Sequence, residues 1–399
     1  MSSNVLSSIL PCPMSADELV TTFASDSKDG NTYLRRIPDQ NIILANRMIL
    51  ESLRAHNITV VFAVDAMPWR VIEKYKRNFS TLLPVSSIAP STSACVWTSI
   101  LYGVTQAEHG IYGVAVYDEK LDASVSLLAD KIYYLDGKEK VIANYEALLS
   151  TTPNLFAHAH EMGIHNCLSL GRLAFSSTAS LGRNLFAGSQ NYVGEDYDAL
   201  LQNPMKLFQQ YKNAVTSFLR AHEGRIFIFM YLDFDAFFHE NSYDQSITDI
   251  FWNDLFNYCD ELKHGFGACS LFVTDHGMAR QQQGLGSAYG MDPWYWKYSY
   301  ARPGGAGRIQ FFYPQKQYYN LIFNRLQDQI GDAGFVLNKD EYISQYISPA
   351  GRINGASRIG DIIAIGTSPS FRSVMSSSIH EHGSVTPDEM MVGIGVLMD

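Results

Sequence analysis

Acidic and histidine side chains recur as close pairs in the second half of the chain. Asp235 and His239 are four residues apart, and Asp275 and His276 are adjacent. Carboxylate oxygens and neutral imidazole nitrogens are good ligands for zinc, and residues four apart lie on one face of a helix. At Gly277, glycine permits the backbone angles of a turn that would bring the adjacent pair to one ion. Both pairs are therefore candidate metal ligands, with a helix cap and a simple turn as the structural alternatives.

A pair of histidines, His380 and His382, lies near the C-terminus and precedes a Thr-Pro-Asp-Glu segment, residues 386–389. Such a segment is typical of a helix start. Two histidines with this spacing can bind metals if the segment is irregular or extended. A surface turn is the alternative, and the pattern alone leaves the choice between the two histidines open.

Three hydroxyl residues, Ser91, Thr92 and Ser93, follow Pro90 at the predicted start of a helix that ends at Gly103. A helix N-terminus presents free N–H groups and the positive end of the helix dipole, which suits a phosphate oxygen. A serine there loses its proton more readily when a divalent metal coordinates it. The segment is therefore a candidate nucleophile site, and ordinary helix capping is the alternative.

Three short apolar runs precede the candidate acids, as buried strands of a parallel sheet would. They are Ile58–Val64 before Asp65, Arg225–Leu232 before Asp233 and Asp235, and Ala268–Thr274 before Asp275. Ligand sites of open α/β sheets lie outside the carboxyl ends of the strands. We therefore expect three acids that are distant in sequence to converge on one edge of the sheet.

Helical periodicity is found in residues 41–56, 197–222 and 246–264. Strands that alternate with helices predict an α/β fold in which a mostly parallel central sheet has helices on both faces.

The domain organisation follows from composition. Residues 1–40 are polar and serine-rich and are expected to form a peripheral arm. The length of the chain allows one large α/β domain or two ordinary ones. Residues 279–310 are rich in glycine, glutamine and aromatic side chains. We interpret this stretch as an excursion above the sheet edge, and residues 279–350 as partly a lid or a small subdomain.

Composition and charge limit the classes of function. The hydrophobic fraction of 46% and the charged fraction of 18% are typical of a globular protein. A formal net charge of −10 disfavours binding to a nucleic acid polymer, but not to a small phosphorylated substrate, because a bound metal can invert the local field.

Cysteine usage and the N-terminus predict the location. The five cysteines form no CxxC pair, so we expect reduced thiols in a cytoplasmic protein. No run reaches the roughly 18 apolar residues of a membrane helix, and no basic residue precedes the apolar run at residues 5–10, so neither a membrane span nor a secretory signal is expected. The oligomeric state is not predicted.

Five motifs occur in an order that resembles a known superfamily. They are PSTSACVWTSILYGVTQAEHGIYG from Pro90, the strand-end Asp65, YLDFDAFFH from Tyr231, TDHGM from Thr274 and EHGSVTPDE from Glu381. Together they resemble the alkaline phosphatase superfamily, and within it the compact bacterial type I phosphodiesterase/nucleotide pyrophosphatases. The resemblance runs from about residue 58 to the C-terminus. It implies an alkaline-phosphatase-like three-layer sandwich and a single catalytic domain over residues 41–399.

The resemblance also implies a ligand set for two divalent ions, with zinc expected and manganese or iron as alternatives. It places the nucleophile at Ser93, where most relatives are expected to have threonine. It favours Asp235 over Asp233 and His382 over His380, and it gives His109 a structural turn. One metal would be held by Asp235, His239 and His382, and the other by Asp65, Ser93, Asp275 and His276.

The predicted function is cleavage of a phosphodiester or pyrophosphate bond in a small nucleotide-like or other phosphorylated substrate, through a phosphoserine. A phosphomonoesterase or phosphonate hydrolase is the alternative, and the complete ligand set disfavours a non-enzymatic binding protein. Two divalent ions and three aspartates would leave about one net positive charge before the serine ionises. No basic residue occurs between Val85 and Glu119, which favours a diester over a monoester dianion.

The substrate pocket is the least determined part of the prediction. In nucleotide pyrophosphatases an asparagine lies three residues after the nucleophile, a position that Val96 occupies here. Aromatic and basic residues of the excursion could stack on a flat group or supply a cation. The candidate substrate-binding residues are Thr92, Val96, Trp294, Trp296, Arg302 and Arg308.

Overall fold

The computed structural model describes residues 6, 8–27, 30–142, 152–172, 180–347, 353–375 and 377–397. The strands are β1 Ala24–Asp26, β2 Thr32–Leu34, β3 Ile58–Val64, β4 Phe79–Ser86, β5 Ala115–Asp118, β6 Ala123–Ser126, β7 Lys131–Tyr133, β8 Glu139–Val141, β9 Asn166–Leu170, β10 Gln190–Tyr192, β11 Ile226–Leu232, β12 Cys269–Thr274, β13 Ala279–Arg280, β14 Gly304–Ala306, β15 Ile309–Phe312, β16 Gly334–Asn338, β17 Ile362–Gly366, β18 His380–Glu381 and β19 Met391–Leu397.

The α-helices are α1 Ala16–Phe23, α2 Leu44–Ala55, α3 Trp69–Ile72, α4 Ser93–Tyr102, α5 Gln106–His109, α6 Leu155–Glu161, α7 Ser180–Leu185, α8 Tyr197–Leu200, α9 Pro204–Ala221, α10 Asp235–Glu240, α11 Gln245–Phe266, α12 Pro293–Lys297, α13 Tyr319–Ile330, α14 Lys339–Tyr342 and α15 Pro387–Met390. The three predicted strands and the predicted helices are confirmed to within a few residues. The stretch predicted as one helix over 197–222 is divided into α8 and α9, because Pro204 can begin a helix but cannot continue one.

A seven-stranded sheet in the order β10-β9-β11-β3-β12-β19-β4 forms the centre of the molecule. The pairings from β10 to β12 are all parallel, and only β19 runs antiparallel to its two neighbours. The prediction of a mostly parallel sheet is therefore confirmed.

Both faces of the central sheet are covered, as the apolar strands predict. On one face, Val61 and Ala63 of β3 belong to a cluster with residues of α2, α4 and α6. On the other face, the alternate β3 residues Val60, Phe62 and Val64 pack with α9 and α11. The result is the expected three-layer arrangement.

A second sheet of eight strands, in the order β16-β17-β15-β14-β5-β6-β7-β8, is antiparallel throughout. The end of the predicted excursion, residues 279–310, contributes to this sheet through β14 and the first residues of β15. The sequence did not reveal these strands because the first is Gly-Gly-Ala, which carries no apolar alternation.

The N-terminal segment packs closely on the rest of the chain. Leu19 of α1 is fully buried in a cluster beside the central sheet, and Leu34 of β2 in another beside the second sheet. The boundary of the arm at residue 40 stays a prediction. Among the described residues, no helix is long and apolar enough to cross a membrane.

Candidate metal centre

Three neighbouring strands end level with one another and bring the predicted acids together. Leu232 of β11 and Thr274 of β12 are both in register with Val64 of β3. Since β3 lies between the other two strands, Asp65 and Asp275 follow adjacent strand ends, and Asp235 comes three residues after β11. The carboxyl edge of the central sheet is thus the place where these acids meet.

One group of side chains surrounds His276, which is fully buried. Its Nε2 lies 3.4 Å from an Asp65 oxygen and 3.3 Å from an Asp275 oxygen. Ser93 Oγ donates a hydrogen bond to the other Asp65 oxygen at 3.1 Å and lies 3.3 Å from His276 Nε2. This group consists of the four residues expected around one metal.

A second group surrounds Asp235, the first residue of α10. The Nε2 atoms of His239 and His382 lie 3.3 and 3.5 Å from its two carboxylate oxygens. Helical spacing places Asp235 and His239 on one face, and the C-terminal segment supplies the third side chain. The rings of His276 and His382 stack at 4.0 Å, so the two groups adjoin.

The three histidines share one hydrogen-bonding arrangement. Their Nδ1 atoms face backbone carbonyl oxygens, at 2.9 Å for His239, 3.1 Å for His276 and 2.8 Å for His382. A proton on Nδ1 that is donated to a carbonyl leaves the Nε2 lone pair free, and each Nε2 faces a carboxylate. Histidines that bind metals are commonly oriented in this way.

Unpartnered carboxylate oxygens test whether a cation fits. Within the described residues, Asp65 Oδ1, Asp235 Oδ1 and Asp275 Oδ2 are buried without a hydrogen-bond donor. Burying a carboxylate oxygen without a partner costs free energy. Divalent cations bound in the two groups would give all three oxygens a partner. The donor set of carboxylates and imidazoles therefore fits divalent metal ions in both groups.

The pKa shifts of two acids and of His239 also indicate that the site stabilises a positive charge. Burial, and then repulsion from Asp235, raise the pKa of Asp65 to about 6, and burial together with Asp65 holds the pKa of Asp275 well above its ordinary value. Burial alone would lower the pKa of His239, but the adjacent Asp235 carboxylate raises it to about 10. These groups thus retain protons, which reduce the repulsion between the carboxylates as a metal cation would.

The structure separates the rival residues from both groups. His380 Nδ1 lies 3.2 Å from the carbonyl of Phe238, and its ring packs against Tyr243. Asp233 accepts a hydrogen bond from Tyr197 at 3.1 Å, and burial followed by repulsion from Asp65 raises its pKa to about 8.

The third rival, His109, is a buried part of a turn. Its Nδ1 accepts a hydrogen bond from the Ile111 N–H at 3.0 Å, and its Nε2 lies 3.0 Å from Ser99 Oγ. The turn ends helix α5 at Gly110, whose φ of 70° is left-handed.

Glycine is required at position 277 for a physical reason other than the expected one. Its φ is not in the left-handed region. A Cβ at this position would lie 2.1 Å from the Asp388 carbonyl oxygen and 2.6 Å from Pro68 Cβ. Close approach of the chain, and not unusual backbone angles, requires glycine after His276.

The two candidates beside the nucleophile differ in position. Thr92 is the N-cap residue of α4 and is buried. Val96 is fully buried in the cluster between α4 and the central sheet. The Val96 side chain therefore contributes to the core instead of facing a substrate.

The structure does not bring the four candidates of the excursion to the metal centre. Arg308 is fully buried and pairs with Glu389 at 3.2 Å. Arg302 donates to the Tyr134 carbonyl at 2.7 Å and stacks over Trp296 at 4.3 Å.

Trp294 likewise has partners outside the centre. Arg325 lies 4.0 Å from its ring centroid. Within the described residues, the side-chain contacts of all four candidates lie outside the Asp and His groups. Of the four candidates, only Trp296 and Arg302 contact each other, whereas Arg308 pairs with Glu389 and Trp294 with Arg325.

Sequence reasoning missed two residues of the site. The buried Tyr231 donates a hydrogen bond to Asp65 Oδ2. The buried Glu381 Oε1 lies 3.9 Å from His382 Nε2 and 4.0 Å from His239 Nδ1. The available signals were the tyrosine that opens YLDFD and the glutamate between two histidines, but both roles depend on contacts between distant segments.

Comparisons with known proteins show the family and the fold. The family model of type I phosphodiesterase/nucleotide pyrophosphatase matches residues 59–384. A search of curated proteins found no match.

Solved structures share the fold. Phosphonoacetate hydrolase from Sinorhizobium meliloti 1021, in complex with phosphonoacetate, has a TM-score of 0.58 and 15% identity, and the match covers 94% of this chain and 92% of that one. Murine ectonucleotide pyrophosphatase/phosphodiesterase 5 has a TM-score of 0.59 and 12% identity over 84% of this chain and 87% of that one.

A third structure, alkaline phosphatase PafA, has a TM-score of 0.56 and 14% identity over 86% of this chain and 90% of that one. At such identities the likeness concerns the fold alone. The expected alkaline-phosphatase-like fold is confirmed.

Proposed function

We propose, from the premise that this chain belongs to the type I phosphodiesterase/nucleotide pyrophosphatase family and is a phosphoric ester hydrolase, that it cleaves a phosphodiester or pyrophosphate bond with Ser93 as the nucleophile. The observation that carries the proposal is the position of Ser93 Oγ, 3.1 Å from Asp65 and 3.3 Å from His276 at the start of α4. The hydroxyl proposed as the nucleophile thus lies beside buried carboxylates that a cation would stabilise.

Two divalent ions are proposed as cofactors. Asp235, His239 and His382 would hold one, and Asp65, Ser93, Asp275 and His276 the other. Zinc suits this mixture of carboxylate and imidazole ligands, and manganese or iron is chemically acceptable. Bound there, such ions supply Lewis-acid stabilisation of the serine alkoxide and of the phosphoryl oxygens.

The chain's own residues define the proposed course. Tyr231 and Ser93 both donate to Asp65 Oδ2, which orients the carboxylate and the nucleophile together. After Ser93 loses its proton, Oγ attacks phosphorus, and the bond from phosphorus to the leaving oxygen breaks. Free N–H groups at the start of α4 face the same place and can bind a phosphoryl oxygen. The phosphoryl group on Ser93 keeps the second substituent of the diester or pyrophosphate. Water then adds its oxygen to phosphorus and its proton to Oγ, which breaks the bond between Oγ and phosphorus, releases the product and restores Ser93.

The proposed substrate is small, phosphorylated and found in the cytoplasm. Among the structural neighbours, the complexes contain small phosphorus compounds, phosphonoacetate in one and AMP in another. A diester or pyrophosphate of nucleotide-like size is the first candidate. A phosphonate hydrolase or monoesterase is the second, because the phosphonoacetate hydrolase matches 94% of this chain.

A substrate panel tests the proposal. The purified protein is assayed with bis-(nitrophenyl) phosphate, nitrophenyl phosphate, a dinucleotide and phosphonoacetate, with zinc or manganese added. We expect the diester to be preferred over the monoester. A clear preference for the monoester or the phosphonate would replace the first candidate by the second.

The role of Ser93 is tested by Ser93→Ala, with Ser87→Ala as the control, because the buried Ser87 hydroxyl has no hydrogen-bond partner among the described residues. The first variant should lose turnover and keep its metals, because six other ligands remain. The control should keep most of its activity. Turnover that survives in Ser93→Ala would show that another group attacks phosphorus.

A further inference from the structure

Glu381 places a fourth buried carboxylate next to the Asp and His groups. It is 1% exposed, and its Oε1 lies 3.9 Å from His382 Nε2. The carboxylate accepts backbone hydrogen bonds from His382 N and Met375 N, each at 3.1 Å. Two N–H donors on a buried carboxylate stabilise its negative charge, so Glu381 adds an anion to the centre.

The turn between β14 and β15 is shaped to leave room for this carboxylate. A Cβ at Gly307 would lie 2.9 Å from Glu381 Oε1 and 2.1 Å from the His382 carbonyl oxygen. Arg308 N donates to the same carbonyl at 2.9 Å. The second sheet therefore holds Glu381 and His382 together in one fixed arrangement.

The extra carboxylate changes the charge of the centre. Two divalent ions contribute four positive charges, and Asp65, Asp235, Asp275 and Glu381 contribute four negative charges. The sequence-based count of one net positive charge therefore falls to about zero before Ser93 ionises.

Two of the nearby arginines, Arg308 and Arg70, are already paired with acids. Arg308 is paired with the buried Glu389 at 3.2 Å, so these two charges cancel. Arg70, which lies 5.0 Å from the ring of Tyr243, pairs with Asp388 at 2.9 Å. Both arginines are thus balanced by acids of the segment that follows His382.

We propose that Glu381 is a specificity-determining residue that makes the centre favour phosphoryl groups with one negative charge over those with two. A diester carries one charge and an ionised monoester two. With a neutral metal centre and an anionic nucleophile, the second charge of the monoester meets net repulsion. The inference rests on the proposed function and supplies a physical reason for the preference for diesters.

The test compares Glu381→Gln, which removes the charge, with Glu381→Asp, which keeps it. For two unit charges about 8 Å apart at an effective dielectric constant near 20, Coulomb's law gives a factor of roughly 30. We expect Glu381→Gln to raise the ratio of kcat/KM for nitrophenyl phosphate to that for bis-(nitrophenyl) phosphate by roughly 10- to 30-fold. Glu381→Asp should stay within about threefold of the wild-type ratio.

Zinc affinity, measured by competition with a chromogenic chelator, is the second readout and needs no turnover. It should fall by roughly tenfold in Glu381→Gln, because a buried anion near the cation is lost, and should hold in Glu381→Asp. The matched control is Glu240→Gln, an exposed carboxylate next to His239, which water screens. It should change neither quantity.

The outcomes separate the two proposals. A wild-type preference for the monoester would overturn the proposed function, while a rise in the ratio on Glu381→Gln would still support the role of Glu381. Equal losses of both activities in Glu381→Gln and Glu381→Asp, with no change of ratio, would show a purely structural residue and overturn the inference. If Glu381→Gln does not fold, Glu381→Ala takes its place, because water can then solvate the two N–H groups.

Discussion

Tyr231→Phe removes a single oxygen from the buried side of the proposed metal centre. The hydroxyl donates to Asp65 Oδ2, whose other donor is Ser93 Oγ at 3.1 Å. A hydrogen bond to a charged group contributes about 2 kcal/mol, and its loss leaves the Asp65 carboxylate less stabilised and less well oriented. Since about 1.4 kcal/mol is a factor of ten, we expect roughly 30-fold weaker binding of the metal held by Asp65.

Tyr243→Phe is the matched control for this prediction. Its hydroxyl is also close to the site but donates at 2.5 Å to the carbonyl of Ala66, the residue after Asp65. Loss of a neutral hydrogen bond costs about 1 kcal/mol of folding free energy without removing a donor from a ligand. We expect lower stability and less than about threefold change in metal affinity.

The assay is a titration of each holoenzyme with a chelator of known zinc affinity, followed by metal analysis of the protein fraction. Turnover of the diester is measured in parallel at saturating zinc. The reasoning would be refuted if Tyr231→Phe retained wild-type zinc affinity, or if both variants lost affinity equally, because Asp65 would then not depend on its tyrosine donor.

Two further predictions concern histidines. His382→Ala should lower the zinc content from about two ions to about one per chain, because Asp235 and His239 alone hold a cation weakly. His380→Ala should leave the zinc content unchanged. If metal analysis gave the reverse result, His380 and not His382 would be the ligand. His109 is buried, and burial, then Arg358, lower its pKa to about 3. Between about pH 6.5 and 3, the unfolded state binds a proton on His109 that the folded state does not bind. The free energy of unfolding that neutral His109 contributes is therefore fully present above pH 6.5 and is lost as the pH falls. At pH 5 the loss is about 2 kcal/mol. Urea unfolding at pH 7 and pH 5 should show this difference between the wild type and His109→Asn at saturating zinc, and equal pH dependence of the two proteins would contradict it.

The central sheet and the proposed ligands could be predicted because their signals are local. Ile58–Val64 is an uninterrupted apolar run that ends at an acid, and β3 has those bounds. The i, i+4 spacing of Asp235 and His239 needs only one helical turn to become a pair. Level strand ends then bring Asp65, Asp235 and Asp275 together, whereas the choice of His382 over His380 came from the family resemblance.

Other features depend on contacts that no local pattern contains. The second sheet joins β5–β8 to β14–β17 across more than 160 residues, through single short pairings such as Gly305 with Ala115. Tyr231 belongs to the site because its hydroxyl donates to the carboxylate of Asp65, which follows the neighbouring strand β3. Trp296 and Arg302 suggested a substrate site by composition, but the Arg302 guanidinium lies over the Trp296 ring.

Trapping the reaction intermediate tests the central claim most directly. The holoenzyme is mixed with excess diester, quenched in acid within milliseconds and digested, and the peptide that contains Ser93 is analysed by mass spectrometry. The predicted result is a phosphoryl group on Ser93 that still carries the second ester group of the diester and that forms and decays at the rate of turnover. Turnover without phosphate on Ser93, or phosphate on another residue, would contradict the account.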